Sequence, residues 1–198
     1  GMTHARNKSE FQDALPKIHA PGLNIMYGDA EGNVAWWASA KIYKDANSAH
    51  TKFVLQDTSD LKAPERYLDF SENPQAINPP WNYVYSANNQ PDSIAGMPYP
   101  GYYLPENRAK RIVGLLEAKN DWSIDDVKGM INDVVSSVNP SIITDLNGVV
   151  NRGELSGEQI SVLDKLLDWK GENNLDNIEP TVFHRWIYFF LKNTFADE

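Results

Sequence analysis

Two adjacent asparagines, Asn88 and Asn89, are the side chains of this sequence best placed to do chemistry, because they follow the apolar, β-type residues 83–85. A side-chain amide at the end of such a stretch can donate a hydrogen bond to the oxyanion that forms during acyl transfer, an effect worth several kcal/mol of the barrier. The simpler interpretation is that an Asn-Asn pair ends a strand and begins a turn. Spacing alone favours the turn.

Other catalytic chemistries lack their residues. The sequence contains no cysteine, which excludes disulfides, thiolate nucleophiles and cysteine-ligated metals. The nucleophile elbow G-x-S-x-G and the glycine-rich phosphate-binding motifs are missing. The four histidines, at 4, 19, 50 and 184, lie in unrelated contexts without ligand spacing. We therefore expect no cofactor and no metal site.

An acidic segment at residues 29–33, with the sequence DAEGN, invites a calcium interpretation because Asp29, Glu31 and Asn33 alternate as oxygen ligands would. An EF-hand loop requires glycine at its sixth position and glutamate at its twelfth. Here Gly32 falls fourth and the twelfth residue is Ala40. A hairpin turn explains the segment better.

The charge balance excludes two classes of partner. Lys and Arg number 18 against 27 for Asp and Glu, which gives a net charge of −9. Such a chain is poorly suited to nucleic acid or to an anionic membrane surface. The apolar run at residues 186–191 is far shorter than the roughly 20 residues of a membrane-spanning helix. We expect no nucleic-acid partner and no membrane span.

The first part of the chain, residues 1–104, has the pattern of a small sheet with proline-rich loops. Residues 23–27 and 34–42 predict an antiparallel hairpin around the GDAEGN loop, and the second strand is apolar on both faces. Residues 81–89 predict a third strand, and TKFVLQ at 51–56 a short one. Ser9 and Gln12 have the spacing of a capping box for a helix over 10–19. Seven of the 12 prolines lie between residues 74 and 105.

The second part, residues 105–198, is helical in pattern. Capping boxes at Ser123 with Asp126 and at Ser156 with Gln159 predict two helix starts, and Pro180 predicts the first turn of a last, strongly apolar helix. The predicted fold class is α+β, with a small antiparallel sheet followed by a helical C-terminal half. We expect a single partial domain over 1–198, since both ends of the sequence look cut.

Three ordered segments carry a more specific signal: PGLNIMYGDAEGNVAWWASAKI, INPPWNYVYSANNQP and PENRAKRIVGLLEAKNDWSIDDVKGMINDVVSS. Together they resemble the penicillin acylase (penicillin amidase) family of N-terminal nucleophile hydrolases. The resemblance implies part of an αββα sandwich. It also implies hydrolysis of a linear amide, the one that attaches the side-chain acyl group in penicillins or acyl-homoserine lactones.

In such enzymes the nucleophile is a serine exposed by autoproteolysis, and its own α-amino group acts as the base. The resemblance places that serine upstream of residue 1, so the chain alone is expected to be inactive. The remaining acylase chain, or a second copy, is the expected macromolecular partner, and the substrate of the full-length enzyme is a small-molecule amide. The resemblance suggests export to the periplasm, although no signal peptide is visible and the compartment stays unknown.

The family motifs transfer onto two residues. The first asparagine of the paired motif matches Asn88, which the resemblance makes an oxyanion-hole donor. The first arginine of the R-x-x-R-I motif matches Arg108, which it places near the active site within a polar network. Asn89 and Arg111 are the alternatives if the register shifts. Asn82 stands where many members have glycine, and the family's calcium ligands match no residue here.

A second interpretation makes the chain a non-catalytic module that keeps the acylase scaffold and binds a small molecule or a partner. Its apolar site would combine the aromatic loop over 97–103 with Trp36 and Trp37, although the two-faced pattern favours the core for both tryptophans. Thr3 could act as an N-terminal nucleophile only if Gly1 and Met2 were removed.

Overall fold

Three short antiparallel strands form the sheet: β1 (Leu23–Gly28), β2 (Val34–Ser39) and β3 (Gln75–Ile77), in the order β1-β2-β3. The computed structural model describes residues 1–44, 67–92, 99 and 101–196, so the strand predicted over 51–56 lies outside the described residues. The chain divides into two compact units, Gly1–Ala109 and Lys110–Glu198, and the sheet belongs to the first. The α+β fold class is confirmed.

The predicted hairpin is present, but β2 ends at Ser39 and not at residue 42. The buried amide of Asn73 explains the early end, because its Nδ2 donates to the carbonyl oxygens of Ala38 and Ala40 at 2.9 Å each. A side chain thus takes the place that a neighbouring strand would occupy.

The hairpin turn is built around Asp29, as the turn interpretation of DAEGN requires. Its Oδ1 accepts from the backbone N–H groups of Glu31 and Asn33, and its Oδ2 from the Tyr27 hydroxyl and Asn33 Nδ2. Desolvation works to raise the pKa of Asp29, but these hydrogen bonds outweigh it and lower the pKa. Gly32 completes the turn at a φ of +85°.

The strand predicted over 81–89 is wrong. Residues 83–86 belong to no strand and pair with no strand in the part of the chain that the structure describes. Asn82 and Asn88 bracket them, each with a φ of +61°, a left-handed conformation that a continuous strand cannot contain. The third strand is β3, which pairs with β2 through Trp36 and Ala76.

Beneath the sheet, the core of the first unit comprises Leu15, Ala35 and Trp37, all fully buried. The other face of β2 is only half covered, contrary to the expectation of burial on both sides, and Trp36 Nε1 there donates to Asn24 Oδ1 at 2.9 Å. Trp37 is a core residue, as predicted.

The first helix, α1 (Lys8–Ala14), packs Phe11 against this core and starts two residues earlier than predicted. Its N-cap is Asn7, whose side chain accepts from Glu10 N, and not Ser9. Pro16 stops the α-helix at Ala14, and the chain continues as a 3-10 turn, Leu15–Lys17.

Five further helices follow in the described ranges: α2 (Asn107–Glu117), α3 (Ile124–Ile131), α4 (Asn139–Asn147), α5 (Gly157–Asp168) and α6 (Glu179–Phe195). The capping boxes of Ser123 and Ser156 are confirmed, and Pro180 lies in the first turn of α6 as predicted. Helix α4 was not predicted, although Pro140 in its first turn is a start signal.

The core of the second unit comprises Ile143, Leu166, Trp169 and Phe183. No helix in the described ranges is long and apolar enough to cross a bilayer.

Gly171 fixes the segment after α5 against the segment before α4. Ser136 N donates to Gly171 O at 2.8 Å, and Asn173 N donates to Val134 O at 3.1 Å. Gly171 has a φ of +92°, and a Cβ built there would lie 2.1 Å from Ser136 O. Only glycine satisfies both the conformation and the close approach.

We therefore expect Gly171→Ala to lower the free energy of unfolding by about 3 kcal/mol or more, through backbone strain and the clash with Ser136. Urea denaturation measures the change. Gly129→Ala is the matched control, because Gly129 lies inside α3 with no neighbouring atom within 4 Å of a built Cβ. It should raise the free energy of unfolding by about 0.5–1 kcal/mol. Equal effects of the two substitutions would contradict this role of Gly171.

A second constraint in this unit is the ion pair between Arg111 on α2 and Asp133. Arg111 Nε donates to Asp133 Oδ1 at 2.8 Å and Nη2 donates to Oδ2, which makes the contact bidentate. The hydrogen bonds from Arg111 lower the pKa of Asp133 below its ordinary value, although partial burial opposes them.

Asp133→Asn should cost about 2 kcal/mol of stability at neutral pH, since it removes charge-assisted hydrogen bonds. Because folding lowers the pKa of Asp133, its contribution is complete above the ordinary aspartate pKa of about 4 and disappears as the pH falls through the lowered value. Denaturation of the wild-type protein and of Asp133→Asn from neutral pH into acid should show their free energies of unfolding converging as the pH falls. Asp125→Asn is the control, as its pair with Lys128 is exposed. A difference that persisted unchanged in acid would contradict the assignment.

Candidate functional site

Asn88 lies in a bend with Ala87, and Asn88 is exposed whereas Ala87 is buried. The φ of +61° at Asn88 is a conformation that asparagine tolerates better than most residues. The bend is held from outside, because Leu104 N donates to Asn88 O at 2.8 Å. Asn88 is therefore a turn residue, as spacing alone suggested, and one with a fixed backbone.

Arg108 fixes the side chain of Asn88. Its Nη2 donates to the backbone oxygen of Ala87 at 2.7 Å and to Asn88 Oδ1 at 2.9 Å. With Oδ1 engaged by a cation, the amide is polarised and its Nδ2 remains as the donor. Among the described residues, Asn88 Nδ2 donates to no protein acceptor. The two residues matched to the family motifs are thus brought together.

The position of Arg108 is not one that helix stability explains. It is the second residue of α2, where the positive end of the helix dipole disfavours a cation. Neighbouring Ala109 is buried and anchors this turn of the helix, while Arg108 itself is exposed. Its two acceptors at the 87–88 bend offset the unfavourable placement.

The alternatives to these two residues make different contacts. Asn89 Oδ1 accepts from Ala87 N at 3.3 Å, and Asn89 Nδ2 donates to Gln90 O at 3.4 Å, so its amide closes the turn locally. Arg111 is engaged by Asp133. Neither hydrogen-bonds to the side-chain amide of Asn88 in the described part of the chain.

A further set of contacts at this site was not predicted. Gln90 Nε2 donates to Tyr99 O at 3.1 Å, and the Tyr99 hydroxyl donates to Glu72 O at 2.7 Å. Burial, with a smaller effect of Glu72, raises the pKa of Tyr99. The only sequence signal was the aromatic loop itself, of which residues 97, 98 and 100 lie outside the described residues.

The arrangement provides a fixed amide donor beside a cation, which suits the stabilisation of a developing negative charge. Within the ranges that the structure describes, no Ser, Thr or His side chain hydrogen-bonds to Asn88 or Arg108. No group of three His, Asp or Glu side chains in those ranges could hold a metal ion.

Asn82, at the other end of residues 83–86, has the same φ of +61°, a left-handed conformation that glycine adopts freely and asparagine tolerates.

Comparison with known proteins agrees with these motifs. The model of the family described as "Penicillin amidase" matches residues 1–198. The structure is similar to that of a thermostable penicillin G acylase from Alcaligenes faecalis, with a TM-score of 0.64 and 23% sequence identity. The match covers 87% of this chain and 31% of that chain, so this chain spans about a third of the relative's length. At this identity the likeness shows a shared fold, and the family match over residues 1–198 shows that the chain belongs to the penicillin amidase family.

Proposed function

We propose that this chain is the part of a penicillin amidase-type amidohydrolase that supplies an oxyanion-hole donor, Asn88, held by Arg108. The observation that carries the proposal is the hydrogen bond from Arg108 Nη2 to Asn88 Oδ1. It leaves Asn88 Nδ2 as an exposed donor at a rigid bend, and family membership supplies the reaction class.

The reaction is hydrolysis of a linear amide, such as the amide that attaches the side-chain acyl group in a penicillin or an acyl-homoserine lactone. An N-terminal serine outside residues 1–198 attacks the carbonyl carbon, and its α-amino group accepts the proton. The carbonyl oxygen becomes an oxyanion, to which Asn88 Nδ2 donates. Collapse of this intermediate breaks the C–N bond, and the amine leaves with the proton that the α-amino group had accepted. Water then hydrolyses the acyl-serine ester and releases the acid. Arg108 does not touch the substrate in this scheme and acts as a positioning residue.

This division of labour makes the chain inactive alone. The remaining acylase polypeptide is its partner in this scheme. The alternative, a module that binds small molecules without chemistry, has support in the exposure of Trp81, half of whose surface remains accessible.

In the processed enzyme that carries these residues, Asn88→Ala should lower kcat about 10²–10³-fold with little change in KM, because the lost donor acts mainly in the transition state. Asn89→Ala is the matched control and should change kcat by less than about tenfold. Release of para-nitroaniline from a chromogenic anilide follows both. A full kcat in Asn88→Ala, or a loss that follows Asn89, would refute the assignment.

Two further results complete this test. Arg108→Ala should lower kcat in the wild type but add little to Asn88→Ala, because both act through one amide. The chain of residues 1–198 alone should release no para-nitroaniline. Turnover by that chain would contradict the missing nucleophile, and saturable binding without turnover would favour the binding module.

A further inference from the structure

An apolar groove runs between α5 and α6 in the second unit, with a volume of about 450 Å³. Its walls include Val150, Leu155, Val162, Leu163, Val182 and Trp186. Glu158 and Gln159, in the first turn of α5, are the polar residues beside it. A groove of this volume and lining can hold an apolar ligand or a side-chain ridge of another polypeptide.

The apolar surface extends past the groove along α6. Val182, Trp186 and Phe190 are spaced four residues apart and therefore share one face of the helix. Phe190, one turn beyond the groove, is 43% exposed, and Val162 on α5 is 40% exposed. The face from Val182 to Phe190 spans about 12 Å at the rise of an α-helix.

Two neighbouring aromatic side chains of α6 are already covered in part by their own chain. The Arg185 guanidinium lies 4.4 Å from the ring centroid of Phe189 and 5.6 Å from that of Tyr188. These cation–π contacts mark the edge of the open surface. The face through Val182, Trp186 and Phe190 lies beside that edge and retains apolar area without such cover.

The length of this face argues for a polypeptide and against a small molecule. A compound that filled the groove would leave Phe190 in water, whereas a helix laid along α6 would cover Val182 to Phe190 together. This chain spans 31% of the acylase that it resembles in structure, so a family enzyme has ample further polypeptide to supply that helix.

We infer that the α5–α6 groove binds an amphipathic helix from the part of the acylase polypeptide outside residues 1–198. The inference rests on the proposed function, because it takes the partner to be the rest of that enzyme. A second copy of this chain is disfavoured as the occupant, since each copy carries a net charge of −9 and two copies repel one another. A helix packed along the face from Val182 to Phe190 would also shield Trp186, which is only half-buried here.

Thiol labelling tests the groove directly, because residues 1–198 contain no cysteine. Val162→Cys places a thiol on the groove wall, and Phe190→Cys places a second probe on α6. Ser161→Cys is the matched control, since Ser161 is exposed on α5, does not line the groove, and differs from cysteine by one atom. Each variant is treated briefly with iodoacetamide, both as the 198-residue chain and within the full-length processed enzyme.

In the isolated chain the three variants should react at similar rates. In the enzyme, V162C and F190C should react at least about tenfold more slowly than in the isolated chain, while the rate for S161C is unchanged. Equal reactivity of V162C and S161C in the enzyme would overturn the inference. So would protection of V162C in the isolated chain that grows with protein concentration, which would assign the groove to a second copy. Amide hydrolysis by the unlabelled enzyme separates the docking from the proposed function. If the enzyme is active but V162C reacts freely, only the docking is refuted. If V162C is protected but the enzyme is inactive, only the proposed function is refuted.

Discussion

The hydrogen bond between Arg108 and Asn88 is the interaction on which the site depends. An asparagine amide at an exposed bend rotates freely unless something holds one end of it, and a freely rotating donor stabilises an oxyanion poorly. Arg108 holds the oxygen end at 2.9 Å and the preceding carbonyl at 2.7 Å, so one guanidinium nitrogen fixes both the backbone and the amide. Leu104 N adds a third tie through Asn88 O.

The two units serve this arrangement in different ways. In the first, the packed face of β2 gives a rigid base around Trp37, and the chain that leaves β3 reaches Asn88 within eleven residues. In the second, the core centred on Ile143 and Phe183 is small, and it leaves an apolar groove open along α6. The first unit contains the proposed donor Asn88, and the second carries the surface through which we expect the rest of the enzyme to bind.

Signals that act over a few residues were predicted well. The hairpin followed from strand periodicity around a glycine-containing turn, and the starts of α3, α5 and α6 followed from Ser123, Ser156 and Pro180. The prediction took Ser9 as the cap of α1, but Asn7, two residues earlier, caps the helix. The strand predicted over 81–89 failed because a β-type pattern forms a strand only where a neighbour pairs with it.

The site shows the same limit more sharply. Asn88 alone suggested no more than a turn or a donor, and Arg108 came from the family resemblance. The contact between them joins residues 20 positions apart, which no spacing rule predicts. Tyr99 was missed for the same reason, because its hydroxyl reaches Glu72 across 27 positions.

The most direct test of the oxyanion assignment is a crystal structure of the processed enzyme with a boronic acid bound to the nucleophilic serine, which mimics the tetrahedral intermediate. The account predicts a boronate oxygen about 2.7–3.1 Å from Asn88 Nδ2, with Arg108 still donating to Asn88 Oδ1. A boronate oxygen held entirely by other donors, with the Asn88 amide turned away from it, would contradict the account.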